Sequence, residues 1–499
     1  MTDDYAGRLR EIEKEIFARR PEHSINPSLE RISALVDLLG DPQRAYPVIH
    51  LTGTNGKTST SRMTEALLRA RGLRTGLFTS PHLSYVGERI SVDGQPLSPE
   101  RFVEAYEEIR PYLELVDATH EVPLSFFEVL VGMAFSVYSD APVDVCVLEV
   151  GMGGTWDNTN VADGAVAVVT PISIDHSRYL GTTVAEIAAD KAGIIKPGAV
   201  AVLALQPPTA AEVLLRRAAE VGAAVAREGI EFGVLDRELA VGGQQLAIRG
   251  LLGDYTDLYL PLFGAHQASN AACALAAVEA FAGVGQTVPV GDDGRSTLTL
   301  GPGLSTAILD PELVRSAFAK ASSPGRLDIL RRSPTVIADA AHNPAGMAVT
   351  VAAMTESLTF DRLIGVVAVA EDKDVAGVLE ELEPVLSDIV VTTNSSPRAM
   401  PADELAEVAR EIFGEERVLV AERLDDAIEA AVALADEGDS DGGLGGTAIL
   451  VTGSVVTAGD AQLLLAPNAA VRADVDGPDS APGEPDMPAR HSFTLGELS

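Results

Sequence analysis

Val48-Ile49-His50-Leu51-Thr52-Gly53-Thr54-Asn55-Gly56-Lys57-Thr58-Ser59 is the stretch that decides how the chain is read. An apolar strand runs into a glycine-rich turn, and a helical pattern follows at once. Glycines let backbone N–H groups close around phosphate oxygens, and the start of the helix adds its positive end. Lys57 is placed to reach the outer phosphates of a nucleotide, and Thr58 to sit near Mg²⁺. Two residues separate the glycines, fewer than in the usual loop. A glycine-rich turn alone is often only a turn. The Lys-Thr pair after it and the strand before it make it a phosphate loop.

Outward from this loop, the chain before Gly283 alternates short apolar strands with amphipathic helices. Strands are expected at 46–51, 73–78, 143–149, 165–170 and 199–203, and helices at 58–71, 99–116, 126–138 and 210–221. Continuous apolar runs separated by helices imply a parallel sheet covered on both faces. Residues 230–262 alternate instead around Gly242-Gly243, the pattern of an antiparallel hairpin. A second alternation follows Pro324-Gly325, with strands at 335–339, 363–369, 388–393 and 448–452 and helices at 345–357, 375–386, 402–412 and 424–435. The expectation is an α/β protein: a phosphate-loop domain on a mostly parallel sheet, then a smaller Rossmann-like α/β domain. Ser322-Ser323-Pro324-Gly325 is the expected hinge. Flexible segments are expected at about 283–309, at 436–446 and in a disordered tail at 468–499.

Composition narrows the function. The 499 residues carry 37 Lys+Arg against 73 Asp+Glu, a formal net charge of −36. Such a balance opposes nucleic acid and anionic membrane surfaces, both of which need a basic face. Six of the basic residues are lysines. The two cysteines, Cys146 and Cys273, lie in apolar runs, which excludes a disulfide framework and suits the cytosol. The charged helical start is not a signal peptide, and no apolar run is long enough to span a membrane. A soluble cytoplasmic monomer acting on small molecules is expected.

Further motifs accompany the phosphate loop: Thr79-Ser80-Pro81-His82-Leu83, Glu149-Val150-Gly151-Met152-Gly153-Gly154, Ile174-Asp175-His176 and Asp190-Lys191-Ala192-Gly193-Ile194. His266 and Asn270, Pro324-Gly325-Arg326, and Asp339-Ala340-Ala341-His342-Asn343-Pro344 follow. In combination, over about residues 20–465, they resemble the Mur ligase superfamily, and within it the bacterial folylpolyglutamate synthase/dihydrofolate synthase type. The resemblance implies residues 1–310 as the ATP-binding, central-type domain and 324–467 as the glutamate-ligase domain.

Glu149 ends an apolar strand, and His176 follows another at the same sheet edge, where parallel sheets place their ligands. By resemblance, Ser80, Glu149 and His176 hold Mg²⁺, with two ions expected in all. Lys191 lies within an apolar run, read here as a helix start. A desolvated lysine can be neutral and add CO₂. The resemblance implies a carbamylated Lys191 that supports the second ion. Lys57, Lys191 and His176 are the expected catalytic residues. Thr54, Asn55, Gly56, Lys57, Thr58, Asn270, Arg326 and Asp339 are the expected ATP contacts.

Ser28 and Glu30 in Asn26-Pro27-Ser28-Leu29-Glu30-Arg31-Ile32, with Ser125, Phe127 and Glu128 in Ser125-Phe126-Phe127-Glu128, match the family's folate-side segments. The same Ser125 and Glu128 also read as a helix capping box with two core phenylalanines, and both readings stand together. His342, Asn343 and Ser454 are candidates for the glutamate side. Thr155 departs from the pattern, since the family usually carries Arg there. The implied reaction adds L-glutamate to dihydropteroate and to folate polyglutamate through an acyl phosphate. The alternatives are a polyglutamate-only synthase, a peptidoglycan ligase and a nucleotide switch. Only about 45 residues precede the phosphate loop, too few for the UDP-binding domain of a peptidoglycan ligase.

Overall fold

Val48–Thr52 sits in the middle of an eight-stranded sheet ordered Gln95–Pro96, Ile90–Val92, Thr75–Phe78, Val145–Glu149, Val48–Thr52, Gly164–Val169, Val200–Leu203 and Ala224–Arg227. The last six run parallel, while the two at the first edge are antiparallel. Val48–Thr52 and Val145–Glu149 are buried at every position because helices cover both faces. Ile49, Leu51, Val145 and Val147 pack with helices Lys57–Ala70 and Ala265–Gly283. Val48, Cys146 and Leu148 pack on the other side with Pro99–Thr119 and Phe126–Asp140. The computed structural model describes residues 5–21, 26–283, 287–290, 296–299, 308–439 and 446–465.

The expected hairpin is a three-stranded antiparallel sheet, Gly233–Ala240, Gly243–Arg249 and Asp254–Leu260. Gly242 takes the left-handed conformation its first turn requires, and Gly250 N–H donates to the Gly253 carbonyl at 2.8 Å in the second. A second sheet of six strands runs in the order Asp328–Arg332, Thr335–Ala338, Thr447–Thr452, Arg362–Val367, Asp388–Val391 and Val418–Val420. It is parallel apart from its first pair.

Two readings change. Within the expected loop at 283–309, Thr287–Val290 and Ser296–Thr299 pair antiparallel, and both are rich in the β-branched residues that strands favour. Helix Leu424–Asp439 runs into the expected loop at 436–446, since its Ala-rich sequence holds no proline and the single Gly438 does not end it. The remainder of these segments and the tail at 468–499 lie outside the described residues.

Candidate active site

Three adjacent strands, Val48–Thr52, Val145–Glu149 and Gly164–Val169, deliver their following loops to one edge of the larger sheet. Gly53 and Gly56 have φ of +148° and +86°. A Cβ on Gly53 would meet Thr170 Oγ1 at 1.9 Å, and one on Gly56 would meet Asn270 Oδ1 at 2.5 Å. Both glycines are therefore required by close approach as well as by conformation. Lys57 begins helix Lys57–Ala70, and its Nζ donates to the carbonyls of Gly53 and Thr54 at 3.1 Å each. Burial lowers its pKa, and the charges of Glu149 and Asp175 oppose that fall. Thr54 Oγ1 ties the loop to the next strand exit through Ser173 O at 3.0 Å.

Thr58 Oγ1 donates to Glu149 Oε1 at 2.8 Å. The other carboxylate oxygen, Oε2, is buried without a partner. Burial pushes the Glu149 carboxyl up to about 7, with Lys57 and the Thr58 hydroxyl pulling against it. An orphaned carboxylate oxygen beside a phosphate loop is a seat for a cation. Ser80 and His176 line the same cavity. Among the described residues, no group of three or more His, Cys, Asp or Glu is assembled that could hold a metal ion. Mg²⁺ does not demand one, because it takes one or two carboxylates and completes its shell with water and phosphate oxygens. The donor set present therefore fits Mg²⁺. Burial lowers His176 to about 3, so its imidazole is neutral and able to bind.

Lys191 is the last residue of helix Val184–Lys191, not near a helix start. The Thr183–Glu186 capping box begins that helix seven residues earlier in the chain than a start at Lys191 would allow, and Ala192-Gly193-Ile194 tightens it into a 3₁₀ turn. Lys191 Nζ reaches Gly53 O at 2.8 Å. Burial, then the charge of Lys57, lowers its pKa to about 7. Thr155, where an arginine was expected, donates through N and Oγ1 to Asp190 O at 3.0 and 2.9 Å, bracing this helix end.

The opposite wall comes from the second sheet. Arg326, Asp339 and His342 line the cavity with His266 and Asn270, around about 1020 Å³. Asp339 accepts from Leu327 N, Ala341 N and Thr350 Oγ1 at 3.0, 2.9 and 3.0 Å, so it also shapes the hinge. Asn343 caps helix Pro344–Ser357 through Gly346 N at 2.7 Å and exchanges two 3.1 Å amide bonds with Asn55. Ser454 does not line the cavity. Its hydroxyl accepts from Thr457 N and Asn394 Nδ2 at 3.0 Å each, at the start of helix Val455–Leu465.

Two residues missing from the expected site stand out. Asp175 Oδ1 accepts from Lys373 Nζ at 2.5 Å, and Oδ2 from Asn343 Nδ2 at 3.1 Å with His342 Nε2 at 3.4 Å. Burial alone would raise its carboxyl, but His342, then His176 and Lys373, hold it well below the usual carboxylate range. Asp175 was visible as part of a motif. Nothing local marked Lys373.

A second cavity, of about 560 Å³, adjoins the first and shares Gly151 and Met152 with it. Ser28, Ser125, Phe127 and Glu128 line it, as does Trp156, the chain's one tryptophan. Glu30 is exposed and outside it, because it begins helix Glu30–Leu38 on the solvent side. Arg31 points inward in its place: its Nε meets Glu128 Oε1 at 3.0 Å, while Arg20 Nη2 lies 3.5 Å from Oε2. The capping box is present too, with Ser125 N donating to Glu128 Oε2 at 2.8 Å.

A phosphate-loop sheet facing a second parallel sheet across a nucleotide-sized cleft defines an ATP-dependent ligase of the Mur class. The Mur ligase middle domain matches residues 124–278, and the Mur ligase glutamate ligase domain matches residues 325–455. The dihydrofolate synthase/folylpolyglutamate synthase of Mycobacterium tuberculosis is 49% identical over 481 residues, spanning 93% of this chain and 95% of its own. The solved structure of Mycobacterium tuberculosis folylpolyglutamate synthase complexed with ADP has a TM-score of 0.86 at 50% identity, covering 93% of this chain and 99% of that one. E. coli FolC in complex with DHPP and ADP has a TM-score of 0.74 at 28% identity, covering 94% and 99%. The chain belongs to the Mur ligase family, in its dihydrofolate synthase/folylpolyglutamate synthase branch.

Proposed function

We propose that this chain ligates L-glutamate to dihydropteroate and to folate polyglutamate tails at the expense of ATP. The observation that carries the reading is the junction of the two cavities at Gly151 and Met152. A flat acceptor seated by Phe127 and Trp156 would lie next to the Gly151–Met152 segment that also borders the phosphate-loop cavity, so its carboxylate could be directed there. A polyglutamate-only synthase is the less favoured alternative, since the relatives above include a named dihydrofolate synthase.

A carboxylate has no good leaving group, so it must be activated. The acceptor carboxylate attacks the γ-phosphate, ADP leaves, and the α-amine of glutamate then displaces phosphate from the acyl phosphate. Positioning and charge neutralisation are the protein's share of this chemistry. Lys57 places its ammonium at the outer phosphates, and Thr54, Asn55, Gly56 and Thr58 frame them. Asn270, Arg326 and Asp339 complete the nucleotide site. Mg²⁺, held by Ser80, Glu149 and His176, would supply further charge neutralisation at the phosphates. A carbamate on Lys191 would add an anionic oxygen for a second ion. His342 is the best placed glutamate contact, while Asn343 and Ser454 act through the helix starts they cap.

Residues 1–310 form the ATP-binding unit and 324–467 the glutamate unit in this reading, supported by their separate sheets. Two buried free thiols, Cys146 and Cys273, support a cytoplasmic setting, and we take the chain to act as a monomer. The test is product analysis with ATP, Mg²⁺ and glutamate, giving dihydropteroate or tetrahydrofolate as acceptor. Glutamate-dependent phosphate release with each supports the reading; release with neither overturns it.

A further inference from the structure

Lys373 stands outside the site described by sequence and does not line the nucleotide cavity. It follows strand Arg362–Val367 of the second sheet, and it is the one lysine of the chain beyond Lys320. Its side chain and that of Asp175 are 8% and 7% exposed, so this 2.5 Å contact is screened from water. Asp175 belongs to the first sheet's loop and faces the cavity. Every partner it takes from another segment, His342, Asn343 and Lys373, comes from the second. A different inter-sheet contact, Arg237 with Glu356 at 2.6 and 2.7 Å, lies at the surface, where ion pairs contribute little.

We propose that Lys373 is a positioning residue for the ligation, and that its pairing with Asp175 holds the second sheet closed on the phosphate loop while the acyl phosphate exists. The inference rests on the proposed ligase reaction. Two consequences follow from the geometry. Removing the ammonium leaves a buried carboxylate partly uncompensated, which pushes the two units apart at the cavity rim. His342 then moves away, and water reaches an intermediate that glutamate should meet first. Nucleotide affinity falls less than turnover, because the phosphate loop stays on the first sheet and only contacts such as Arg326 and Asp339 move with the second.

The experiment compares Lys373→Met, Lys373→Arg, Asp175→Asn and the double variant Lys373→Met/Asp175→Asn in the full chain. Readouts are ADP affinity by calorimetry, and phosphate released per glutamate incorporated with dihydropteroate as acceptor. Lys373→Met should lose about 100-fold in kcat, as misplacement of a reacting group does. Its ADP affinity should fall by no more than about tenfold, well short of the loss in kcat, since the phosphate loop itself is untouched. Its ratio of phosphate to product should rise above one as hydrolysis competes with ligation. Lys373→Arg should restore the ratio, because it keeps the charge. The double variant should be no worse than its poorer parent. Should Lys373→Met fail to fold, Asp175→Asn carries the test, since it keeps the shape and removes the charge. A coupled reaction with near-normal kcat in either single variant overturns the proposal, as does a double variant whose loss is the product of the single losses. A wild-type protein that releases no phosphate with glutamate overturns the ligase reading itself, a separate outcome.

Discussion

Asn55 and Asn343, 288 residues apart, exchange two amide hydrogen bonds of 3.1 Å, one in each direction. The phosphate loop and the first helix of the second sheet thus read each other directly. Asn343 also caps that helix through Gly346 N. Asn343→Ala should lower stability by about 1 kcal/mol from the lost cap and also impair turnover. Asn343→Ser should keep the cap but lose the amide that bonds Asn55 and Asp175, so much of the stability recovers and turnover does not. Thermal unfolding and steady-state kinetics on both variants separate the two roles.

The phosphate loop was legible because all its chemistry is local: strand, glycines, Lys57 and helix lie within one short stretch. Glu149 and His176 were legible because each ends or follows an apolar strand. Lys373 and Arg31 were not, since their roles arise only when distant segments meet around Asp175 and Glu128. Ser454 and Glu30 misled for the opposite reason. Both sit in segments that resemble the family, yet their side chains serve a helix start and solvent. The edge strands Ile90–Val92, Gln95–Pro96 and Val418–Val420 were missed because two- and three-residue strands carry too little alternation to register.

Lys57 donates to two loop carbonyls, and the Glu149 carboxylate whose charge it offsets keeps the Thr58 hydroxyl when the ammonium is removed. Lys57→Ala should therefore fold with an unchanged far-UV spectrum and lose at least about 100-fold in ATP turnover, the scale of removing one preorganised charge contact. Glutamate-dependent turnover retained in the folded variant would remove Lys57 from the mechanism.

Glu149 gives a pH signature in the metal-free protein. Its folded pKa of about 7 is above the ordinary carboxylate value. Its contribution to stability is therefore full below the unfolded pKa and is lost as pH rises through about 7. Glu149→Gln should remove that loss, so the difference between variant and wild type should grow from pH 4 to pH 8, by up to about 3 kcal/mol. Urea unfolding across this range in a chelator measures it. Added Mg²⁺ should stabilise the wild type at pH 8 and leave the variant nearly unchanged.

Lys191 works in the other direction. Its folded pKa of about 7 is depressed, so an uncharged amine is available just above neutrality. If that amine takes up CO₂, activity should rise with bicarbonate and with pH through about 7. Isotopically labelled bicarbonate should give a carbamate resonance that Lys191→Ala lacks. A short carboxylic acid should restore part of the activity of that variant. No resonance and no bicarbonate dependence would leave Lys191 as a lysine bonded to Gly53.

Acceptor choice follows from the second cavity. Dihydropteroate is shorter than tetrahydrofolate by one glutamate, yet both must present a carboxylate to the same phosphate. The shorter acceptor has to sit at the Gly151–Met152 junction with its ring against Phe127 and Trp156. A longer acceptor reaches the phosphate loop with its ring farther out. Changes deep in the pocket should therefore cost dihydrofolate formation more than tail elongation. Glu128→Ala is a poor probe, because it leaves Arg31 and Arg20 facing each other without their carboxylate and should destabilise the fold by about 3 kcal/mol or more. Trp156→Ala is better: the residue is only partly buried, and its loss leaves no buried charge. With dihydropteroate, Trp156→Ala should lower kcat/KM by about 30-fold, the scale of one lost aromatic contact in a desolvated pocket. With tetrahydrofolate the loss should be several-fold smaller. Equal losses with both acceptors would mean that the two rings share one seat, and that the tail takes up the difference in length.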